Sequence, residues 1–176
     1  SPEVQPMSLI LIKDAFQKVP LDFLKKVCAS NPDGFGIMCS EKGKLIALRR
    51  LTDKPNDQEI VKEALDASEN VATVAHFRTC LSGKRDQGNT HPFIAFRDKE
   101  GKNMIGFMQA GGIRGLVPEG HKTERTNAFF LNARVLIPLL QAASKEKDPS
   151  KLLEMKWLDL LLRSIVGDSL FVLMDQ

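Results

Sequence analysis

Hydrophobic and polar residues follow two patterns along this chain, and each pattern predicts a different kind of secondary structure. Short apolar runs predict β-strands, because a strand covered on both faces carries few polar residues. Apolar residues at helical spacing predict amphipathic helices. The predicted strands cover residues 9–12, 36–39, 44–50, 71–76, 93–96, 105–108 and 170–174. The predicted helices cover residues 21–29, 56–68, 126–143 and 151–165.

Turn and cap residues divide these runs. Glu41-Lys42-Gly43 predicts a hairpin between two strands, and a second hairpin is expected across residues 98–101. Asn56 followed by Glu59 resembles a capping box at the start of a helix. Strands and helices therefore come in alternating blocks, with hairpins among the strands, and this order predicts one layered sheet-and-helix domain.

The composition favours a soluble protein. The chain of 176 residues is 43% hydrophobic and 27% charged, so disorder is not expected, and its net charge of +3 comes from interleaved basic and acidic residues. No apolar run or basic leader indicates a membrane helix or a secretory signal, and we expect a cytoplasmic protein. Cys28, Cys39 and Cys80 show no CxxC spacing, which is typical of buried thiols in a reducing compartment.

The candidate chemistry lies in two segments, residues 31–37 and 76–93. Arg78 ends an apolar strand, where its guanidinium can bind a carboxylate or be satisfied by nearby carbonyl groups. His76 and His91 are expected to be packed and hydrogen-bonded. Their loops supply no cysteine or acid at metal-ligand spacing, so we expect neither a metal nor a cofactor.

Together these segments resemble the glutaminase domain of class II glutamine amidotransferases, in particular its small stand-alone bacterial and phage-encoded members. That family follows the pattern xxDGWG, HxR…G and NxHPF, and the resemblance extends over most of the chain. The matching motif residues here are Asn31, Asp33, Gly34, Gly36, His76, Arg78, Gly83, Asn89, His91 and Pro92.

The resemblance implies an α+β fold of the N-terminal-nucleophile hydrolase type, a four-layer αββα sandwich of two mainly antiparallel sheets. The family domain continues past a strand such as Leu170–Met174, so a sandwich trimmed at one edge is implied. We expect residues 1–7 to be a leader or the remnant of a tag, and residues 8–176 to form the single domain.

The resemblance also implies roles for individual residues. The family nucleophile is a cysteine whose own α-amino group serves as the base, and Ser8 stands at that position. Arg78 matches the arginine that binds the substrate carboxylate, and Leu81 and Ser82 occupy the next substrate-lining positions. Gly111 can supply an oxyanion N–H, whereas Ala110 stands where the family has an amide side chain.

Arg125 stands where the family has an aspartate that binds the substrate amine, with Glu124 beside it as a partial substitute. Since the scaffold residues remain while the groups that touch glutamine differ, the first hypothesis is a catalytically inactive domain. Such a domain would act by binding a partner protein or a small ligand, for example as a phage accessory protein.

Two other hypotheses stay open. One is a glutamine amidohydrolase that uses residue 8 as its N-terminal nucleophile after removal of the leader, with serine either natural or engineered in place of cysteine. The other is a nucleic-acid-binding protein. The residues that would contact nucleic acid are Lys84, Arg85, Arg114 and Lys122.

Overall fold

The computed structural model shows an α+β fold with two antiparallel sheets. The structure describes residues 7–52, 57–113, 124–167 and 169–176. Three residues named in the sequence analysis lie outside these ranges, namely the capping residue Asn56 and the basic residues Arg114 and Lys122. Residues 1–6 of the expected leader also lie outside them.

The first sheet has four strands in the order β1-β4-β2-β3, all antiparallel. The predicted hairpin is confirmed, since Glu41 pairs with Lys44 across a turn in which Lys42 and Gly43 have φ of 51° and 69°. The strands are β1 (Leu9–Lys13), β2 (Gly34–Glu41), β3 (Lys44–Arg50) and β4 (Thr73–Arg78).

The second sheet has three antiparallel strands in the order β5-β6-β7. They are β5 (Phe93–Arg97), β6 (Met104–Ala110) and β7 (Leu170–Met174). The hairpin predicted across residues 98–101 is confirmed by the pairing of Arg97 with Met104. The final predicted strand is confirmed with the same bounds.

Helices α1 (Leu21–Ser30) and α2 (Asp57–Ala67) pack against one face of the first sheet. Leu24 and Leu65 of these helices are almost fully buried against Phe35 and Phe77 of the sheet. The opposite face of this sheet meets the second sheet, where Met38 and Val74 pack with Met108. Both faces of the first sheet are therefore covered, as its wholly apolar runs predict.

The helix predicted over 126–143 is interrupted, which corrects the sequence analysis. It consists of α3 (Asn127–Leu131), a π-helical turn (Asn132–Leu136) and α4 (Ile137–Ala143). Pro138 explains the wide turn, because it cannot donate a hydrogen bond and its ring would clash with the carbonyl of Arg134 in a regular helix.

The helix predicted over 151–165 is also divided. A 3₁₀ segment (Pro149–Glu154) is followed by an extended residue, Met155, and then by α5 (Lys156–Val166). Leu152 and Leu158 are both buried. Six residues apart on one continuous α-helix, they would point about 120° away from each other. The break at Met155 lets both side chains enter the core over the second sheet.

Candidate functional site

A cleft of about 220 Å³ opens where β1 begins and β4 and β6 end, beside the start of α3. Leu9 lies opposite Phe77 in the pairing of β1 with β4, so Ser8 reaches the end of β4 where Arg78 stands. Gly111 directly follows the end of β6. The described residues that line the cleft include Ser8, His76, Arg78, Leu81, Ser82, Asn89, His91, Gln109, Gly111, Thr126 and Asn127. The pairing of the strands thus brings together residues that are far apart in the sequence.

The hydroxyl group of Ser8 is engaged by the backbone of Thr79. Ser8 Oγ accepts a hydrogen bond from Thr79 N at 3.1 Å and donates one to Thr79 O at 3.4 Å. Because Ser8 follows Met7, its nitrogen is a peptide amide in this chain and cannot accept a proton. Ser8 therefore lies at the predicted position, but its contacts are those of a residue that fastens the end of β1 to the end of β4.

The side chain of Arg78 is buried in the cleft with 3% exposure. Its guanidinium donates to the carbonyl oxygens of Lys84 at 2.9 Å, Ser82 at 3.3 Å and Asp86 at 3.4 Å. It also contacts Cys80 Sγ at 3.3 Å. No carboxylate of the described residues lies within ion-pair distance of it. The carbonyl groups order the loop after β4, yet none of them neutralises the positive charge.

The two motifs pack directly on each other at Gly36. A Cβ atom on Gly36 would collide with the carbonyl of His91 and would lie 2.8 Å from Pro92 Cδ. On the same strand, a Cβ on Gly34 would lie 2.9 Å from Thr90 Oγ1. Glycine at both positions lets β2 approach the 90–92 segment, where the His91–Pro92 peptide bond is cis. These motif glycines therefore serve close backbone packing.

Asp33 and Asn31 fix the loop that carries the end of β4. Asp33 Oδ2 accepts a hydrogen bond from Cys80 N at 2.8 Å, and Oδ1 pairs with Arg85 Nε at 3.0 Å. Asn31 Oδ1 accepts one from Thr79 Oγ1 at 2.9 Å. The first motif thus holds the two residues that follow Arg78.

Asn89 is fully buried and joins the same loop to α3. Its side-chain amide donates to Lys84 O at 3.1 Å and Glu124 O at 2.8 Å, and its Oδ1 accepts from Thr126 N at 2.9 Å. Gly83 lies against the same segment, since a Cβ there would be 2.9 Å from Thr126 N. Both motif residues therefore position the wall of the cleft.

His76 and His91 form a buried pair at the base of the cleft. Their ring centroids are 4.3 Å apart, and His76 Nε2 lies 3.1 Å from Gln109 O, so this contact joins the two sheets. Burial lowers the pKa of His76 to about 3, and burial beside His76, Arg78 and Arg49 holds the pKa of His91 well below its usual value. Both rings are neutral at pH 7.

The hydrogen bonds expected for these two histidines are only partly found. His76 Nδ1 and both nitrogens of His91 are buried without a hydrogen-bond partner among the described residues. His91 instead packs edge-on against Phe93 and Phe107, at ring-centroid distances of 4.8 and 5.7 Å. A neutral imidazole carries one N–H, so His91 leaves a buried donor unsatisfied beside the cleft.

The end of β6 supplies a residue, Gln109, to which the sequence analysis gave no role. Ala110 ends β6 and pairs with Leu170, and Gly111 has φ of 106°. The amide of Gln109, one residue earlier, lies in the cleft lining and donates to Gly111 O at 2.6 Å. The sequence could have indicated Gln109, because it is a polar residue in an apolar strand. It stands two positions after the buried Phe107 and therefore on the same face.

Arg125 does not occupy the predicted position beside a substrate amine. Its guanidinium lies 3.7 Å from Asp86 and 4.9 Å from the centroid of the Phe129 ring, and it lines a separate groove. Asn127, two residues later, lines the cleft and donates from Nδ2 to Ile113 O at 2.9 Å. Arg125 is therefore not among the described residues that line the cleft, and Asn127 is.

The residues of the nucleic-acid hypothesis are partly engaged. Lys84 pairs with Glu124, and Arg85 binds Asp33 and the carbonyl of Thr52. In the described ranges, no three histidine, cysteine or acidic residues lie close enough to bind a metal ion. The described helices are too short or too polar to cross a membrane.

Comparison with known proteins gives no assignment. No protein-family model matches this chain, and no curated protein matches it.

Proposed function

We propose that this domain binds a small carboxylate-bearing ligand in the cleft and does not hydrolyse glutamine. The proposal includes the finer fold, a four-layer αββα sandwich of the N-terminal-nucleophile hydrolase type. Three buried clusters support that fold, one between helices and the first sheet, one between the sheets, and one between the second sheet and α3 to α5.

The observation that carries the proposal is the buried charge of Arg78. A cation with 3% exposure and no acid partner among the described residues is costly in a protein interior, and an anion that enters the cleft reduces this cost. Carbonyl groups hold the guanidinium in place, so its orientation is fixed before a ligand arrives. Pre-organisation of this kind favours binding.

The size of the cleft favours a ligand about as large as an amino acid. Its volume of about 220 Å³ is smaller than the roughly 300–1,000 Å³ of typical small-molecule pockets. Asn127 and Gln109 add polar groups to the wall, and the exposed side chain of Leu81 stands at the rim.

The peptide amide of Ser8 and the side chain of Ala110 argue against hydrolysis. An amide nitrogen removes the general base of the family mechanism, and base catalysis typically contributes about 10²–10⁴-fold to the rate. Ala110 lacks the second oxyanion donor, whose loss typically costs about 10²–10³ in kcat. We therefore expect no detectable ammonia from glutamine with the chain as printed.

The test combines calorimetric titration of L-glutamate and L-glutamine with a coupled ammonia assay. We expect saturable binding, weakened about tenfold in Arg78→Lys because lysine lacks the planar fork that binds a carboxylate. The matched control is Arg163→Gln, which removes an exposed arginine paired with Asp159 on α5. The proposal would be refuted if neither L-glutamate nor L-glutamine bound. It would also be refuted if Arg78→Lys and Arg163→Gln weakened binding equally.

The amidohydrolase remains the second candidate, because the hydroxyl of Ser8 and the guanidinium of Arg78 line one cleft. A chain that begins at residue 8, with serine or with Ser8→Cys, tests it in the same ammonia assay. Turnover in the chain as printed would overturn the inactive assignment. Turnover only in the shortened cysteine chain would show that the pocket tolerates Ala110.

A further inference from the structure

A second and larger recess lies on another side of the 91–93 segment. This groove encloses about 580 Å³ between β3 of the first sheet and β5 of the second, and the start of the π-helical turn closes it. Leu45, Ala47 and Arg49 line it from β3, because alternate residues of a strand point to the same face. None of the residues assigned above to the proposed ligand, such as Arg78 or Asn127, belongs to its described lining.

The groove has a cationic group near each end. From Leu45 to Arg49 it extends about 13 Å along β3, at about 3.3 Å per residue. A Cβ on Gly106 would lie 3.1 Å from Leu45 Cδ2, and Arg97 pairs with Met104, two residues before Gly106, so Arg97 stands toward the Leu45 end. At the other end the side chain of Gln87 donates to Arg49 O at 3.0 Å, and Gly88 lies directly against the guanidinium of Arg125.

The positive charges of the groove are only partly compensated within the described residues. No described carboxylate lies within ion-pair distance of Arg49 or Arg97. Arg125 is held by Asp86 at 3.7 Å and by the face of Phe129, so it forms a fixed wall of the groove. The net field in the groove is therefore positive, and it attracts anions.

The floor between the arginines is apolar, with one orphaned polar atom beside it. Ala47, Phe93 and Ile94 belong to this floor. Asn132 also lines the groove with 7% exposure, and its Nδ2 donates to Ile94 O at 3.1 Å. Its Oδ1 is buried without a partner in the described part of the chain, so it can accept a hydrogen bond from a ligand. Asn132 begins the π-helical turn, a distortion found often at functional sites.

We infer that the groove is a binding site for a nucleoside phosphate. Arginine binds phosphate through its planar fork, so Arg49 receives the phosphate at the end where Arg125 stands. The apolar floor packs against the ring of the base, and the guanidinium of Arg97 can stack on that ring from the Leu45 end of the groove. Asn132 Oδ1 accepts a hydrogen bond from an N–H or O–H group of the base or sugar. The volume lies within the range of typical small-molecule sites, about 300–1,000 Å³.

The test is calorimetric titration of the full chain with the four common nucleoside monophosphates, with inorganic phosphate and adenosine as separate arms. We expect saturable binding of at least one monophosphate, at least about tenfold tighter than inorganic phosphate or adenosine, because each of these lacks one half of the contacts. Absence of saturable binding for all four monophosphates would overturn the inference. Inorganic phosphate binding as tightly as the best monophosphate would overturn it too.

Adjacent residues of β3 provide matched variants. Arg49→Gln should weaken the best monophosphate about tenfold or more, whereas Arg50→Gln on the opposite face should leave its affinity unchanged. Ala47→Glu places a carboxylate on the floor and should abolish binding, and Ile46→Glu is its control. Equal effects of Arg49→Gln and Arg50→Gln would show a general charge effect instead of a site. Circular dichroism of each variant checks that the fold is retained.

Discussion

The cleft and the groove share the 91–93 segment as a wall, yet they use their arginines in opposite ways. Arg78 in the cleft is 3% exposed and donates to three backbone carbonyls, so the fold itself depends on it. Arg49 in the groove has no acid partner among the described residues, and within them its side chain makes no hydrogen bond to the loop after β4. Substitutions in the cleft should therefore reduce stability, whereas substitutions in the groove should reduce binding alone.

The largest expected effect is at Gly36, where the two motifs meet. Gly36→Ala places a Cβ atom on the carbonyl of His91, and backbone on both sides leaves little room for relaxation. We expect a loss of about 3 kcal/mol or more in the free energy of unfolding, measured by urea denaturation. Gly112→Ala is the control, since a Cβ there meets nothing within 4 Å. A loss at Gly36 no larger than at Gly112 would contradict the packing role of the motif.

The next effect compares the two arginines directly. Arg78→Gln leaves buried carbonyl groups without donors, which costs about 1–3 kcal/mol for each group, partly offset by removal of a buried charge. We expect a net loss of about 2–3 kcal/mol in the free energy of unfolding. Arg49→Gln should change it by less than about 0.5 kcal/mol, as is usual for partly exposed sites. Similar losses in the two variants would remove the distinction between cleft and groove.

Acid should destabilise the cleft side through its buried histidines. The pKa of His76 is lowered to about 3 in the fold from a reference value of 6.5, so between these values the unfolded chain binds more protons. The free energy of unfolding therefore falls as the pH drops below 6.5 and is independent of these groups above it. The slope is at most about 1.4 kcal/mol per pH unit for each histidine. Urea denaturation between pH 7 and pH 4.5 measures it.

His91→Phe separates the two histidines. The ring of His91 makes no hydrogen bond with the described residues and packs against Phe93 and Phe107, so phenylalanine suits the site chemically. We expect the acid slope to fall by about half, whatever the change in stability at neutral pH. An unchanged slope would mean that other groups cause the acid sensitivity.

The sequence predicts the strands and hairpins of this fold well, because short apolar runs and turn residues are local signals. The helix interruptions were missed for two reasons that depend on tertiary packing. Pro138 is accommodated by a wide turn instead of ending the helix. Leu152 and Leu158 are both drawn into the core, which requires the break at Met155.

The candidate site was predicted in part. Strand pairing explains why Ser8, Arg78 and Gly111 share one cleft, and the resemblance to the amidotransferase domain had suggested these residues. The direction of Arg125 could not be read from the sequence, because Asp86 and the ring of Phe129 determine it. The groove has no sequence motif, since it forms only where β3 and β5 approach each other.

The smallest expected effect is at Ser8, and it tests what the hydroxyl does in the cleft. Ser8→Ala removes two hydrogen bonds to Thr79, but both are only partly buried, so water can replace the lost partner. We expect a loss of about 0.5–1.5 kcal/mol in the free energy of unfolding. Ser30→Ala, which removes an exposed bond within α1, should change less. Because the Ser8 hydroxyl is occupied by the backbone, the affinity for L-glutamate should change less than about threefold, or about 0.7 kcal/mol. A much larger loss of affinity, with stability preserved, would mean that the hydroxyl turns from Thr79 to the ligand, as a nucleophile must.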